Sequence, residues 1–204
     1  MLININKNSN KILFFKNYYE NLKLVMNNIN LKKLLIITNF LEKKIINNNN
    51  IFVAGNGGSA AIANHMLCDF NKGIKISSKK KLKPKIISLV SSIEIMTAVA
   101  NDINYNEIFS NQLENYYKKG DCLICFSSSG QSENIIQVMK FAKKKKIASI
   151  LFQGFGKLNK TINPDYYINL KYENYGITED IFQSLMHCMS QYIRSKFVSK
   201  NTKL

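Results

Sequence analysis

The two histidines of this chain each stand at a ligand-like spacing from a carboxylate: His65 lies four residues before Asp69, and His187 lies eight after Glu179. On a helix those separations put each pair on one face, about one turn apart in the first case and about two in the second. Imidazole and carboxylate together can hold a divalent cation or exchange protons near neutral pH. The first pair follows a glycine-rich turn, Gly55-Asn56-Gly57-Gly58-Ser59. A run of small hydroxyl residues, Ser127-Ser128-Ser129-Gly130-Gln131-Ser132, stands in mid-chain. Glycines let the backbone take positive φ and approach a ligand, while hydroxyls at a helix start cap the helix or meet an anion. The chemistry expected is a phosphate site beside an acid/base or metal site. Each motif alone also fits a bland role, as a strand-to-helix turn, a cap or a surface contact.

The elements that must position these residues follow from apolar periodicity. Between residues 10 and 47 apolar side chains recur at helical intervals: Ile12, Phe15, Tyr19, Leu22, Val25, Met26 and Ile29, then Leu34, Leu35, Phe40, Leu41 and Ile45. This predicts one or two amphipathic helices whose apolar stripe suits a subunit interface. Asn47-Asn48-Asn49-Asn50 then ends the pattern. Short continuous apolar runs at 51–54, 86–90, 122–126, 147–152 and 166–170 read as strands buried on both faces. Helices are predicted over 59–70, 92–99, 107–117, 132–143 and 178–197. Strands alternating with helices predict an α/β fold, a three-layer α/β/α sandwich with a mostly parallel five-stranded sheet and an N-terminal helical segment in front. Ligands bind beyond the carboxyl ends of such strands, so the turns after Ala54 and after Phe126 share one rim.

Composition sets the outer limits. A chain of 204 residues suits one domain, 1–204, with a helical segment over 1–50 and the α/β core over 51–204. No apolar run approaches the roughly 20 residues of a membrane span, and the start, Met1-Leu2-Ile3-Asn4-Ile5-Asn6-Lys7, lacks a secretory pattern. A soluble, cytoplasmic protein is expected. Of the four cysteines, Cys68, Cys122, Cys125 and Cys188, the middle two fall in an apolar run that reads as a buried strand. That is a poor place for a zinc knuckle or redox pair, so reduced core cysteines are expected. The net charge of +16 comes from dispersed lysines, in short runs such as Lys79-Lys80-Lys81 and Lys143-Lys144-Lys145-Lys146, among abundant asparagine. Without clustering or a recognition motif it argues against specific nucleic-acid binding, and it favours an anionic small substrate.

In order along the chain, Ala54-Gly55-Asn56-Gly57-Gly58-Ser59 with Ala63-Asn64-His65, Ala100-Asn101-Asp102 with Ile108-Phe109-Ser110, the serine run and the final helix with His187 resemble the SIS sugar-isomerase family, most closely its phosphoheptose isomerase branch. The likeness spans most of the chain. It implies a homotetramer that interconverts sedoheptulose 7-phosphate and D-glycero-D-manno-heptose 7-phosphate, toward activated heptose for bacterial surface polysaccharides. It further implies that Ser127, Ser128, Ser129 and Ser132 hold the phosphate, that Asn56, Gly57, Gly58 and Ser59 line the sugar, and that Asp102 touches it from a neighbouring loop.

The same resemblance implies a zinc site at His65, Asp69, Glu179 and His187, with Glu179 also on the substrate side. Relatives typically carry Glu where this chain has Asp69 and Gln where it has Glu179. Asp is one methylene shorter, which moves its carboxylate about 1.5 Å when metal–oxygen bonds are near 2.0–2.2 Å. Aldose–ketose isomerisation needs a base beside the carbonyl and an acid for its oxygen. Asp69 is the expected base and His187 the expected acid, with zinc as Lewis acid. An isomerase for another sugar phosphate, and a non-catalytic SIS protein such as those that associate with the bacterial replication initiator, stay open at this level.

Overall fold

A computed structural model describes residues 11–197, so the expectation for the first seven residues lies outside the described residues. Two helices, α1 (Lys11–Asn27) and α2 (Leu31–Ile46), come first. They are separate because Asn30 caps the second, its side chain accepting from the Lys33 amide at 2.9 Å. Five strands follow, with helices between them except from β4 to β5: β1 (Asn50–Gly55), β2 (Lys85–Ser88), β3 (Cys122–Ser127), β4 (Ala148–Gln153) and β5 (Tyr166–Asn169). All pair in parallel, in the order β2-β1-β3-β4-β5. The remaining helices are α3 (Gly58–Leu67), the short α4 (Lys75–Ser77), α5 (Ile93–Asp102), α6 (Ser110–Tyr116), α7 (Glu133–Lys144) and α8 (Tyr175–Ser195).

Strand order dictates the layers. The step from β1 to β2 runs one way along the sheet and the step from β3 to β4 runs the other. Right-handed crossovers therefore place α3 and α7 on opposite faces. Packing agrees: α3 lies on β1 and β2, with α2 on the sheet and α8 against both helices, while α7 lies on β3 and β4 with α6 beside it. The central strands are buried from Ile51 to Gly55 and throughout β3, as expected of apolar runs covered on both sides. Phe126 and Phe152 stack across neighbouring strands with ring centroids 5.0 Å apart, and Phe182 of α8 closes on Phe126 at 5.7 Å. Cys122 and Cys125 sit in this core; burial pushes the Cys122 thiol up to about 12 and the Cys125 thiol higher still. Cys68 and Cys188 are exposed, and all four are free.

Among the boundaries that differ from those predicted, three have a tertiary reason. The helix expected over 59–70 is α-helical to Leu67 and then widens into a π-helical stretch, Cys68–Ile74. There the Asn71 side chain accepts from the Ile86 amide at 2.8 Å and donates to the Ile86 carbonyl at 3.0 Å, pairing with the free edge of β2. The segment expected as one helix over 107–117 is a 3-10 turn (Tyr105–Glu107) followed by α6, because Ile108 and Phe109 turn fully into the core. α8 starts at Tyr175, three residues early, where Asn174 caps the Ile177 amide at 3.0 Å. Among the described residues no helix is long and apolar enough to cross a membrane.

Candidate active site

The order β2-β1-β3 makes the gap between β1 and β3 the place where successive connections diverge, and a crevice opens beyond those strand ends. Both expected loops stand there. After Ser127 the chain turns through Ser128, Ser129 and Gly130, the last at φ +68°, and Ser132 occupies the position before α7. The Gly130 amide donates to Ser127 Oγ at 3.0 Å and the Gln131 amide to Ser129 Oγ at 3.2 Å. Gln153, fully buried at the end of β4, braces the loop from below: its amide nitrogen donates to the Ser129 carbonyl at 3.1 Å and the Phe155 carbonyl at 2.6 Å, while its oxygen accepts from the Tyr167 hydroxyl at 2.8 Å.

Ser128 Oγ is buried and makes no hydrogen bond among the described residues. Such a group costs about 1–3 kcal/mol unless something satisfies it. It lines a cavity of about 100 Å³ together with Asn56, Ser59, Ser127, Ser129, Ser132, Tyr175 and Glu179. The N-terminus of α7 opens at this same loop, where a helix favours negative charge. An anion at this point would satisfy the hydroxyl and complement the helix end.

The glycine turn supplies the opposite wall. Gly57 takes φ +54° with open space around it. Asn56 exchanges two amide hydrogen bonds with Asn134 of α7, at 2.8 and 2.9 Å, and its oxygen also accepts from the Tyr105 hydroxyl at 3.3 Å. Gly58 has a different duty: a Cβ there would stand 2.1 Å from a carboxylate oxygen of Glu179, so the missing side chain is the room in which that carboxylate sits. Glu179 is half-buried, and burial, assisted by the neighbouring Asp180, raises its pKa above the ordinary glutamate value. Asp102, by contrast, is exposed at the end of α5, accepts from Asn101 at 2.8 Å and does not line this cavity.

Further along the same two helices lies the second half of the site. His65 Nε2 is 3.6 Å from one carboxylate oxygen of Asp69, His187 Nε2 is 3.7 Å from the other, and the two ring nitrogens are 3.1 Å apart. Gln183, one turn before His187, brings its side-chain amide to 2.8 Å from His187 Nε2. One ligand atom each from His65, Asp69 and His187 falls within 4.8 Å of the others. Two imidazoles and a carboxylate converging this closely fit zinc, whose usual donors these are. The shorter Asp69 does reach the cluster, and Glu179 is not among the three.

α3 carries Ser59 into the cavity and His65 six residues on, about 9 Å by helical rise; α8 carries Glu179 and then His187, about 12 Å on. The serine cavity and the His–Asp cluster are thus joined by two packed helices. Asn134, Gln153, Tyr175 and Gln183 were not anticipated from the sequence. Only Gln183 carried a signal, its one-turn spacing from His187.

The chain as a whole has known relatives. Residues 17–153 match the SIS domain. The chain belongs to the SIS-domain family. A relative from Thermoplasma acidophilum, a probable phosphoheptose isomerase, is 31% identical over 182 residues, covering 89% of this chain and 98% of its own length. The phosphoheptose isomerase of Thermodesulfovibrio yellowstonii is 34% identical over 118 residues, 57% of this chain and 56% of that one. With relatives of this second kind the SIS chain aligns over little more than half their length. Among solved structures, a phosphoheptose isomerase from Francisella tularensis superposes with a TM-score of 0.79 at 21% identity, covering 92% of this chain and all of that one. The SIS fold and the likeness to the phosphoheptose isomerase branch both stand.

Proposed function

We propose that the protein is an aldose–ketose isomerase that interconverts sedoheptulose 7-phosphate and D-glycero-D-manno-heptose 7-phosphate, supplying heptose for bacterial surface polysaccharides. The carrying observation is the unpartnered Ser128 hydroxyl in an anion-suited cavity on the same two helices as the His65–Asp69–His187 cluster. That separation suits a substrate whose phosphate and carbonyl stand at opposite ends of an extended chain.

In this reading Ser127, Ser128, Ser129, Ser132 and the start of α7 hold the phosphate, while Asn56, Gly57, Gly58, Ser59 and Glu179 line the sugar. Asp69 takes the proton from the carbon beside the carbonyl and returns it to the neighbouring carbon. His187 carries the balancing proton between the two oxygens. Asp69 presents a different oxygen to each histidine. His65, Asp69 and His187 would hold a zinc ion, which would supply Lewis-acid polarisation at the carbonyl end. A half-buried site amid a charge of +16 also draws in a phosphorylated substrate.

A homotetramer is part of the same reading. Phe15, Tyr19, Leu24 and Met26 of α1, with Leu31, Leu35 and Ile36 of α2, expose an apolar surface that subunit contact would cover. Cytoplasmic location follows from the proposed biosynthetic role, and Asp102 is assigned to substrate contact within the assembly. The test is conversion of sedoheptulose 7-phosphate followed by NMR, with and without zinc, beside His187→Ala and a panel of other sugar phosphates. Heptose phosphate formed by the native protein and lost in the variant is the expected result. Turnover of a different sugar phosphate alone would reassign the substrate, and binding without any turnover would make this a sugar-phosphate sensor.

A further inference from the structure

We infer that a lysine-ringed depression beside β2 is a docking surface for an anionic lipid bilayer, with Ile76 as its apolar contact. The surface stands apart from the crevice and is independent of the chemistry proposed there.

Seven lysines fall between positions 72 and 85, and no acidic residue occurs from 70 to 93. Along the chain they are interrupted by glycine, serine, proline and apolar residues. The fold gathers them: Lys72, Lys75, Lys79 and Lys80 line one depression of about 710 Å³ together with Asn71 and Ile76. All seven are exposed, and none joins the ion pairs formed among the described residues. Positive charge is therefore concentrated without an internal counter-charge, and a sheet of headgroup phosphates supplies one.

The depression has a built shape. Asn71 ties it to the edge of β2 through its two hydrogen bonds with Ile86. The buried Ser78 hydroxyl donates to the Lys75 carbonyl at 3.2 Å and accepts from the Leu82 amide at 3.1 Å, and the Lys80 amide donates to the Lys75 carbonyl at 2.8 Å. These bonds hold Lys79 and Lys80 at φ +50° and +66°, a backbone region that side chains disfavour.

A bilayer fits this surface better than nucleic acid does. Residues 71–85 contain neither arginine nor an aromatic side chain, the groups that read guanine edges and stack on bases. They do contain Ile76, 67% exposed on the wall of the same depression. An apolar side chain among lysines is the pattern of a reversible interfacial anchor: ammonium groups meet headgroup phosphates while the apolar group enters the acyl boundary. Lys85 opens β2, whereas the crevice lies beyond the opposite ends of the strands. A docked protein thus keeps its crevice open to water.

The test is co-sedimentation of the full-length protein with vesicles of phosphatidylcholine, alone or mixed with phosphatidylglycerol, at low and high salt. Native protein is expected to bind the mixed vesicles at low salt, to leave them at high salt and to ignore phosphatidylcholine. Lys72→Gln, Lys75→Gln, Lys79→Gln and Lys80→Gln together are expected to weaken binding about tenfold or more. The same change in net charge at Lys143, Lys144, Lys145 and Lys146 is expected to stay within about threefold of native. Ile76→Ser is expected to weaken binding about fivefold or more. Circular dichroism on each variant separates lost docking from unfolding. Native protein that fails to bind the mixed vesicles, a loss no larger in the first lysine set than in the second, or native-like binding by Ile76→Ser overturns the inference. Tighter binding to duplex DNA than to mixed vesicles at equal phosphate concentration also overturns it and assigns the lysines to nucleic acid.

Discussion

Asn56 and Asn134, seventy-eight positions apart, face each other across the crevice and exchange two amide hydrogen bonds, at 2.8 and 2.9 Å. The pair ties the glycine turn after β1 to the start of the helix that follows the serine loop. Asn134 is nearly fully buried, and its oxygen also accepts from the Ile135 amide at 2.9 Å. Asn134→Ala removes that acceptor and leaves the Asn56 amide without its buried partner. The variant is expected to lose about 1–3 kcal/mol in urea unfolding and to show a raised KM for the sugar phosphate, since both walls loosen. Unchanged stability would mean that solvent or a neighbour replaces the pair at no cost.

Ser128→Ala separates binding from folding. The hydroxyl has no partner in the described structure, so removing it is expected to leave the melting temperature equal or slightly higher. Phosphate affinity is expected to fall, because a hydrogen bond to a charged acceptor contributes about 1.5–3 kcal/mol, roughly 10–100-fold. Calorimetric titration with the sugar phosphate, beside a thermal melt, reads both. Undiminished affinity would remove this serine from the phosphate site.

Two glycines at positive φ are expected to respond differently to alanine. At Gly57 a Cβ meets open space, so Gly57→Ala costs only the backbone strain of φ +54° with ψ −123°, about 1–3 kcal/mol. At Gly130 a Cβ would lie 2.4 Å from the Gln153 amide, which braces the serine loop, so Gly130→Ala adds displacement of that brace to its own positive-φ strain. Denaturant titration should place Gly130→Ala clearly below Gly57→Ala; equal losses would show that Gln153 gives way freely.

Glu179 provides a pH signature. Its pKa is raised, first by burial and second by Asp180. A carboxyl raised in the folded state favours folding most when protonated, and that contribution fades as pH climbs through the folded pKa. Glu179→Gln is therefore expected to melt higher than the native protein near neutral pH, with the difference vanishing below the ordinary glutamate value of 4.5. Melting curves across that range read it; a gap that persists in acid would point to packing instead of charge.

Much of this was legible in the chain itself. Uninterrupted apolar runs such as those forming β1 and β3 need cover on both faces, which the central strands of a helix-covered parallel sheet receive. Turn residues directly after those runs had to emerge on the same rim. His65 with Asp69 was readable because one helical turn is a local distance, and the family likeness rested on motifs of the same local kind. The π-helical stretch from Cys68 was not readable, because what holds it is Asn71 pairing with a strand edge fifteen residues away.

What the sequence determined by itself is therefore local or periodic: the strands, most of the helices, the two loops at the rim and the residue types able to hold phosphate and metal. Tertiary structure decided which of them meet. Glu179 and His187 share a helix, yet one serves the serine cavity and the other the His–Asp cluster. Asn134 and Gln153 acquired roles from partners brought close by the pairing of β3 with β1 and with β4. The physical reason is range: helical and strand periodicity act over a few residues, whereas burial and hydrogen bonding between distant segments depend on how layers pack once the sheet has formed.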